Sequence, residues 1–392
     1  MTNRDSGRHL PDYEGGSLVN LVASIAACLG CETDAPPLEG LDDLRGCRTL
    51  VLLVVDGLGH DYLRERHPES FLVRHLRQPL TSVFPTTTAS AVTSLATGAA
   101  PVRHAITGWF MWLREFGMVT TILPFQSRAA RIDLAAQGLS PVAVLGAPPL
   151  YPRSRIPVRV ITEEWIRDSA WSRVSMEGAE RLGYRDLEGL FVQLAEAVRT
   201  GARRQYIHAY WSGYDALAHR AGHASDECDR LIREFDRHLE EWVDTLRGTG
   251  TRVLVTADHG FIDTRPEAHV WLHEHPELAE CLALPLCGEP RAAWCHVRPG
   301  RVGIFERYVT EQLDEVCELH VSEDLIRAGW FGPGEPHPEL SRRVGDYALI
   351  MKGDHVLRDR LPGEERFHFA GVHSGLTPRE LRVPLVDITL GM

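Results

Sequence analysis

The sequence predicts an α/β protein with a mostly parallel central sheet that carries an inserted subdomain. Short apolar, β-branched segments at Leu50–Val55, Tyr206–Tyr210 and Val253–Thr256 are each followed by polar residues, as is typical of buried parallel strands. Apolar residues recur every three or four positions in Leu187–Thr200 and Asp226–Leu246, which predicts helices. Strands and helices in alternation favour a doubly wound sheet, in which ligands bind at the carboxyl ends of the strands.

The segment from Thr264 to Arg343 differs from the rest of the chain. It is rich in Pro, His, Gly and Trp, and its apolar residues are less periodic. We therefore expect a core over residues 1–263, an inserted cap subdomain over 264–343, and a return to the core over 344–392. That return begins with a strand-like segment at Tyr347–Met351, and Val142–Leu145 is predicted as a further strand.

Charge and composition exclude several classes of function. The chain has 42 basic and 54 acidic residues, a formal charge of −12, which opposes binding to nucleic-acid polymers and anionic membranes. No apolar segment reaches the ~20 residues that span a bilayer. Ser17–Cys28 resembles a signal sequence, but Asp12 and Glu14 precede it, so we interpret it as a buried helix capped by Ser17. The eight scattered cysteines suit reduced thiols and a cytoplasmic protein.

Side chains able to bind metals follow the predicted strands or lie in nearby loops. The candidates are Asp56, Thr88, Asp215, His219, Asp258, His259 and His373. Carboxylates and imidazoles together suit Zn²⁺ or Mn²⁺. Asp215 and His219 are four residues apart, so one helical turn places both on the same face. Three Asp, three His and one hydroxyl supply enough ligands for two divalent ions with open positions.

A pair of metal ions about 4 Å apart can stabilise both the attacking and the leaving oxygen of a displacement at phosphorus. A threonine hydroxyl is a weak nucleophile until a cation stabilises its alkoxide, and Thr88 bound to one metal would meet that need. The predicted chemistry is hydrolysis of a small phosphate ester, with Thr88 as the catalytic nucleophile.

Each motif alone has a more ordinary explanation. An Asp after a strand usually caps a turn or a helix, an Asp-x-x-x-His pair usually lies on a solvated helix face, and threonine clusters usually form turns. The ordered set is more specific, because all its members lie at strand ends. Other motifs are weak or missing: Gly57-Leu-Gly59 lacks the third glycine of a dinucleotide-binding loop, and there is no P-loop and no Gly-x-Ser-x-Gly.

The order Asp56-Gly, Pro85-Thr-x-Thr88, Thr97-Gly, Asp215-x-x-x-His219, Asp258-His259-Gly and a late His373 resembles the type I phosphodiesterase/nucleotide pyrophosphatase family of the alkaline phosphatase superfamily. This resemblance implies an alkaline-phosphatase-like three-layer α/β/α sandwich. It also implies one zinc held by Asp56, Thr88, Asp258 and His259, and a second held by Asp215, His219 and His373. A phospho-threonine intermediate on Thr88 would then be hydrolysed by water.

Two positions depart from the nucleotide-hydrolysing members of that family. Ala89 stands where they have Phe, and Trp109 stands where they have Asn, which puts nucleotide specificity in doubt. A phosphomonoesterase, a phosphonate hydrolase and a non-catalytic metal-binding relative therefore remain as alternatives. Trp109, Phe110 and Trp112 could line a leaving-group pocket, although core packing is the usual role of such a cluster. Arg128 and Arg131 are expected to be solvated rather than to bind phosphate.

Overall fold

The computed structural model describes residues 9–201, 204–364 and 369–390. A bilayer-spanning helix is absent from these residues, since none of their helices combines the length and apolar composition that the hydrocarbon core requires. The strands are β1 (Thr49–Val55), β2 (Leu76–Thr81), β3 (Phe110–Leu113), β4 (Met118–Thr121), β5 (Gln126–Ser127), β6 (Val158–Glu163), β7 (Glu180–Tyr184), β8 (Gln205–Trp211), β9 (Thr251–Thr256), β10 (Ile262–Asp263), β11 (His269–Trp271), β12 (Cys287–Glu289), β13 (Ala292–Cys295), β14 (Cys317–Val321), β15 (Tyr347–Met351), β16 (Val356–Arg358), β17 (Gly371–Val372) and β18 (Arg382–Thr389).

The helices surround these strands and connect them. They are α1 (Leu18–Leu29), α2 (His60–Arg66), α3 (Phe71–Arg74), α4 (Thr88–Thr97), α5 (Pro101–His104), α6 (Glu164–Arg167), α7 (Ala170–Ser175), α8 (Leu187–Thr200), α9 (Gly213–Ala221), α10 (Asp226–Thr245), α11 (Pro276–Cys281), α12 (Val302–Gln312), α13 (Ser322–Arg327), α14 (Leu340–Arg343) and α15 (Pro378–Leu381).

The larger core is built on a seven-stranded sheet in the order β2-β18-β9-β1-β8-β6-β7. β9, β1, β8, β6 and β7 run parallel, and β18 is antiparallel to both of its neighbours. Every residue of β1 and β9 is buried, because helices cover both faces of a parallel sheet. The predicted mostly parallel α/β sheet is confirmed, and its three central strands are those expected from the sequence.

The predicted helices are confirmed with small changes at their ends. α8 spans the expected residues, and α10 ends one residue earlier than expected. α1 is buried along nearly its whole length and ends at Gly30, whose φ of 79° suits glycine. Asn20, in the first turn of α1, donates to the carbonyls of Tyr13 and Pro36, so a polar residue is accommodated inside this core helix.

A second seven-stranded sheet has the order β14-β15-β13-β12-β3-β4-β5, and buried residues of β13 and β15 share a hydrophobic core with the first sheet. We expected Tyr347–Met351 to begin the return to the core, but this strand pairs with β13 and β14 of the second sheet. The second sheet also takes β3, β4 and β5 from before residue 264. The chain returns to the first sheet only at β18. The division into a core and an inserted subdomain remains a prediction.

Two local expectations were wrong. Pro141–Ala143 forms a 3₁₀ turn where a strand was expected over Val142–Leu145, because Pro141 fixes its own φ and the Ser140 side chain caps the turn. Arg128 is buried rather than solvated, since its guanidinium pairs with Asp359 and Glu364 and lies 4.0 Å over the ring of Phe110.

Candidate metal centre

Five of the predicted ligands follow three neighbouring parallel strands. Asp56 comes directly after β1, Asp258 and His259 come two and three residues after β9, and Asp215 and His219 lie on α9, which begins shortly after β8. Because β9, β1 and β8 are adjacent and parallel, their carboxyl ends meet at one edge of the sheet. The fold therefore gathers side chains that are up to about two hundred residues apart in sequence.

The first ligand cluster consists of Asp56, Asp258 and His259. Their ligand atoms all lie within 4.8 Å of one another. His259 Nε2 is 3.4 Å from Asp56 Oδ1 and 3.6 Å from Asp258 Oδ2. The hydroxyl of Thr88 lies 3.0 Å from the same imidazole nitrogen. All four residues predicted for the first metal are thus brought together.

Thr88 is the first residue of α4, with Thr87 as the N-cap. Its hydroxyl therefore lies at the end of a ten-residue helix where free backbone N–H groups carry partial positive charge. This is a favourable place for an alkoxide or a phosphoryl oxygen.

The second cluster adjoins the first. The ligand atoms of Asp215, His259 and His373 lie within 4.8 Å of one another. His219 Nε2 is 3.4 Å from Asp215 Oδ1, and its ring centroid is 5.1 Å from that of His373. The rings of His259 and His373 stack with centroids 3.7 Å apart. The three residues predicted for the second metal also meet, and His259 lies within reach of both sets.

The backbone orients all three imidazoles in the same way. Nδ1 lies 2.9 Å from the Gly371 carbonyl in His219, 3.1 Å from that of Gly260 in His259, and 3.0 Å from that of Thr86 in His373. A carbonyl can only accept, so Nδ1 must carry the proton and Nε2 presents a lone pair to the centre. Ligating histidines in metal sites are oriented by such bonds.

The carboxylates also point one oxygen into the centre. Asp258 Oδ1 accepts from the N–H groups of Gly57 and His259 at 3.0 Å each, and Asp56 Oδ2 accepts from the hydroxyl of Tyr210. Among the described residues, the buried atoms Asp56 Oδ1, Asp258 Oδ2 and Asp215 Oδ1 have no hydrogen-bond partner. Buried carboxylate oxygens without partners are costly, and divalent cations bound in the two clusters would satisfy all three.

The electrostatics of the centre also favour bound cations. Burial, with the neighbouring charges of Asp215 and Asp258, raises the pKa of Asp56 well above its usual value. Burial and the charge of Asp258 likewise raise the pKa of Asp215. Burial lowers the pKa of His219 to about 4 and that of His373 well below its usual value, so both imidazoles are neutral, as metal ligands must be.

One acidic residue near this centre was not predicted from the sequence. Glu289, the last residue of β12, accepts hydrogen bonds from the Thr87 hydroxyl and, at 2.7 Å, from the backbone N–H of Trp109. Burial raises the pKa of Glu289 to about 7. Its charge contributes to the raised pKa of Asp215. No motif surrounds Glu289 in the sequence. It lies beside Thr87, the residue before the nucleophile, because β12 pairs with β3.

The β12–β13 hairpin, which carries Glu289, also supports the loop that carries His373. Arg291, between β12 and β13, forms a fully buried ion pair with Glu380, with N···O distances of 2.6 and 3.1 Å. Glu380 Oε1 also accepts from the backbone N–H of Gly375, two residues after His373, at 2.7 Å. The second sheet therefore holds both the nucleophile side and the His373 side of the centre.

The comparisons with known proteins concern the family and the fold of the chain. Residues 50–329 match the family described as type I phosphodiesterase / nucleotide pyrophosphatase, which is more than half of the chain. The chain belongs to this family. The family expected from the sequence motifs is therefore confirmed. A search of curated proteins finds no match to the chain.

Solved structures share the fold of this phosphodiesterase family member. Murine ectonucleotide pyrophosphatase / phosphodiesterase 5, as an inactive variant in complex with AMP, is 15% identical, with 86% of this chain and 87% of that chain covered and a TM-score of 0.63. Phosphonoacetate hydrolase from Sinorhizobium meliloti in complex with phosphonoformate is 18% identical, with 87% and 90% covered and a TM-score of 0.63. The alkaline-phosphatase-like fold is confirmed by these similarities.

Proposed function

We propose that this protein is a metal-dependent hydrolase of small phosphate esters, most similar in action to a phosphodiesterase or nucleotide pyrophosphatase. The observation that carries the proposal is the convergence of three partnerless carboxylate oxygens and three imidazole Nε2 atoms beside the hydroxyl of Thr88. This donor set fits two divalent ions, with zinc preferred and manganese as the alternative.

We assign the first ion to Asp56, Thr88, Asp258 and His259. We assign the second to Asp215, His219 and His373. When bound, two such ions would supply charge stabilisation for the phosphoryl oxygens and for the attacking and leaving oxygens.

In the proposed reaction the Thr88 hydroxyl releases its proton to solvent and Oγ attacks phosphorus. The bond from phosphorus to the leaving oxygen breaks, its electron pair stays on that oxygen, and a phospho-threonine forms. Water then attacks phosphorus, the bond between Thr88 Oγ and phosphorus breaks, and a proton from the water regenerates the hydroxyl. The free N–H groups at the start of α4 would bind phosphoryl oxygen in both steps. The imidazoles keep Nδ1 protonated and bonded to backbone carbonyls throughout.

Phosphonate hydrolysis is the second candidate. Ala89 and Trp109 replace the Phe and Asn that the resemblance associates with nucleotide hydrolysis, and one structural neighbour is a phosphonoacetate hydrolase. A phosphomonoesterase uses the same metals and nucleophile and is a third. The complete donor set beside Thr88 argues against a non-catalytic relative. We also propose a cytoplasmic location, which the scattered cysteines of the sequence suit.

A direct test compares the rates on bis(p-nitrophenyl) phosphate, p-nitrophenyl phosphate and phosphonoacetate, before and after chelation and after zinc or manganese is restored. We expect turnover to disappear with EDTA and return with metal. Thr88→Ala should abolish nearly all turnover while most of the metal stays bound. Thr93→Ala is the matched control, because Thr93 lies on the same helix, is more deeply buried than Thr88, and its hydroxyl donates to the carbonyl of Ala89. Turnover that survives chelation or Thr88→Ala would refute the proposal.

A further inference from the structure

Glu289, in the second sheet, contacts the residue that precedes the nucleophile and uses only one of its two carboxylate oxygens to do so. Oε1 accepts both of its hydrogen bonds, from Thr87 and Trp109. Oε2 accepts none from the described residues, and it is not among the buried atoms that lack a partner, so it remains open to solvent. Thr87 directly precedes Thr88. Glu289 is therefore bonded to the residue next to the nucleophile, and its charge acts on Asp215 of the metal centre.

Among the residues that the structure describes, none forms an ion pair with Glu289. Arg291, two residues further along the chain, pairs with Glu380. Arg128, whose guanidinium lies over the ring of Phe110 in β3, pairs with Asp359 and Glu364. Two divalent ions would carry four positive charges. The three aspartates of the centre and an alkoxide on Thr88 would carry four negative charges. Glu289 then adds a negative charge that the metal centre does not offset.

We propose that Glu289 is a specificity-determining residue that disfavours dianionic phosphoryl groups, so that the site selects monoanionic phosphodiesters over phosphomonoesters. This inference rests on the proposed function and names the substrate class within it. The physical reason is repulsion between the carboxylate and the second ionised oxygen of a monoester in a partly desolvated site.

A structural role for Glu289 makes a different prediction. The amide oxygen of a glutamine can accept the same two hydrogen bonds, from the Thr87 hydroxyl and the Trp109 N–H, at the same length of side chain. If Glu289 served only to tie α4 to β3, Glu289→Gln would affect all substrates equally. If its charge excludes dianions, the variant would change the preference between substrates.

The experiment measures kcat/KM for p-nitrophenyl phosphate and bis(p-nitrophenyl) phosphate with the metal-loaded enzyme at pH 8.5, where Glu289 is ionised. Both substrates release the same leaving group. Glu289→Gln should raise the monoester-to-diester ratio on the order of tenfold, which is the effect of one unit charge at roughly 10 Å in a partly desolvated site. The ratio is taken from a single preparation, so it does not depend on the fraction of enzyme that is folded.

Further variants complete the test. Glu289→Ala should shift the ratio in the same direction as Gln, Glu289→Asp should keep the wild-type preference, and Glu274→Gln, which removes an exposed charge, should leave the ratio unchanged. An unchanged ratio in an active Glu289→Gln or Glu289→Ala enzyme would overturn the inference. Absence of metal-dependent turnover in the wild type on both esters would instead overturn the proposed function.

Discussion

Replacing Asp56 with asparagine should stabilise the metal-free protein and destabilise the metal-loaded protein. Asp56 Oδ2 accepts from Tyr210, and an asparagine oxygen can do the same. Asp56 Oδ1 is buried without a partner, 3.4 Å from His259 Nε2. The lone pair of that imidazole nitrogen already accepts from the Thr88 hydroxyl, so an asparagine NH₂ would at most share it. The substitution therefore acts mainly by removing a desolvated charge when no metal is present.

The size of the effect follows from the burial of this carboxylate. A buried polar group without a partner costs about 1–3 kcal/mol, and the charges of Asp215 and Asp258 add to that cost. Because the folded-state pKa of Asp56 is raised, the cost is present above that pKa and is relieved as the pH falls through it toward the unfolded value. We expect Asp56→Asn to raise the unfolding free energy of the EDTA-treated protein by about 1–3 kcal/mol at pH 8, with a smaller gain at pH 5.

Urea unfolding at pH 8 and pH 5, with and without zinc, measures whether the variant is more stable than wild type without metal and less stable with it. Elemental analysis counts the bound metal. With zinc present, the variant should bind about one ion fewer per chain and unfold at lower urea than the wild type. A variant that is less stable than wild type without metal would refute the electrostatic argument. A variant that retains the full metal content would refute Asp56 as a ligand.

Three further predictions concern residues around the centre. Burial lowers the pKa of His219 to about 4, so the fold favours its neutral form. In the metal-free protein, the free energy of unfolding of wild type should therefore fall by about 3 kcal/mol relative to that of His219→Asn as the pH falls from about 6.5 to 4. Equal pH profiles in urea unfolding would contradict this. Arg291→Met should cost about 3–5 kcal/mol of unfolding free energy, since it leaves the carboxylate of Glu380 buried and unpaired; a loss below about 1 kcal/mol would show that the pair is dispensable. Gly57→Ala should lower the free energy of unfolding by about 1–3 kcal/mol, because φ of Gly57 is 79° and a Cβ would lie 2.4 Å from the Phe261 ring. Phe261 packs against all three ligand histidines, so the variant should also bind zinc more weakly in a competition titration. A zinc affinity equal to that of wild type would contradict this.

The central strands and the ligands could be predicted from the sequence because the signals are local. A parallel strand buried on both faces is a continuous apolar segment, as in Leu50–Val55, and the reactive residues follow it directly. Asp215 and His219 needed only the helical period. Asp56, Asp258 and His259 follow their strands directly or within three residues, and His373 follows β17. The other three site residues, Thr88, Asp215 and His219, lie on the helices α4 and α9.

The second sheet could not be predicted in the same way. Its strands are short, from two to five residues, and Tyr347–Met351 is as apolar as a strand of the first sheet, so its pattern does not reveal its partners. The burial of Arg128 depends on Asp359 and Glu364, more than two hundred residues away in sequence. Glu289 lacks a motif for the same reason, since its position beside Thr87 comes from strand pairing alone.

Anomalous diffraction at the zinc edge, from crystals of the zinc-loaded protein soaked with inorganic phosphate, tests the bimetallic centre most directly. We predict two peaks: one contacted by Asp56, Asp258, His259 and the Thr88 hydroxyl, and one contacted by Asp215, His219 and His373. Phosphate should lie between them at the start of α4. A single peak, or two peaks away from these side chains, would contradict the assignment of Thr88 as a metal-activated nucleophile.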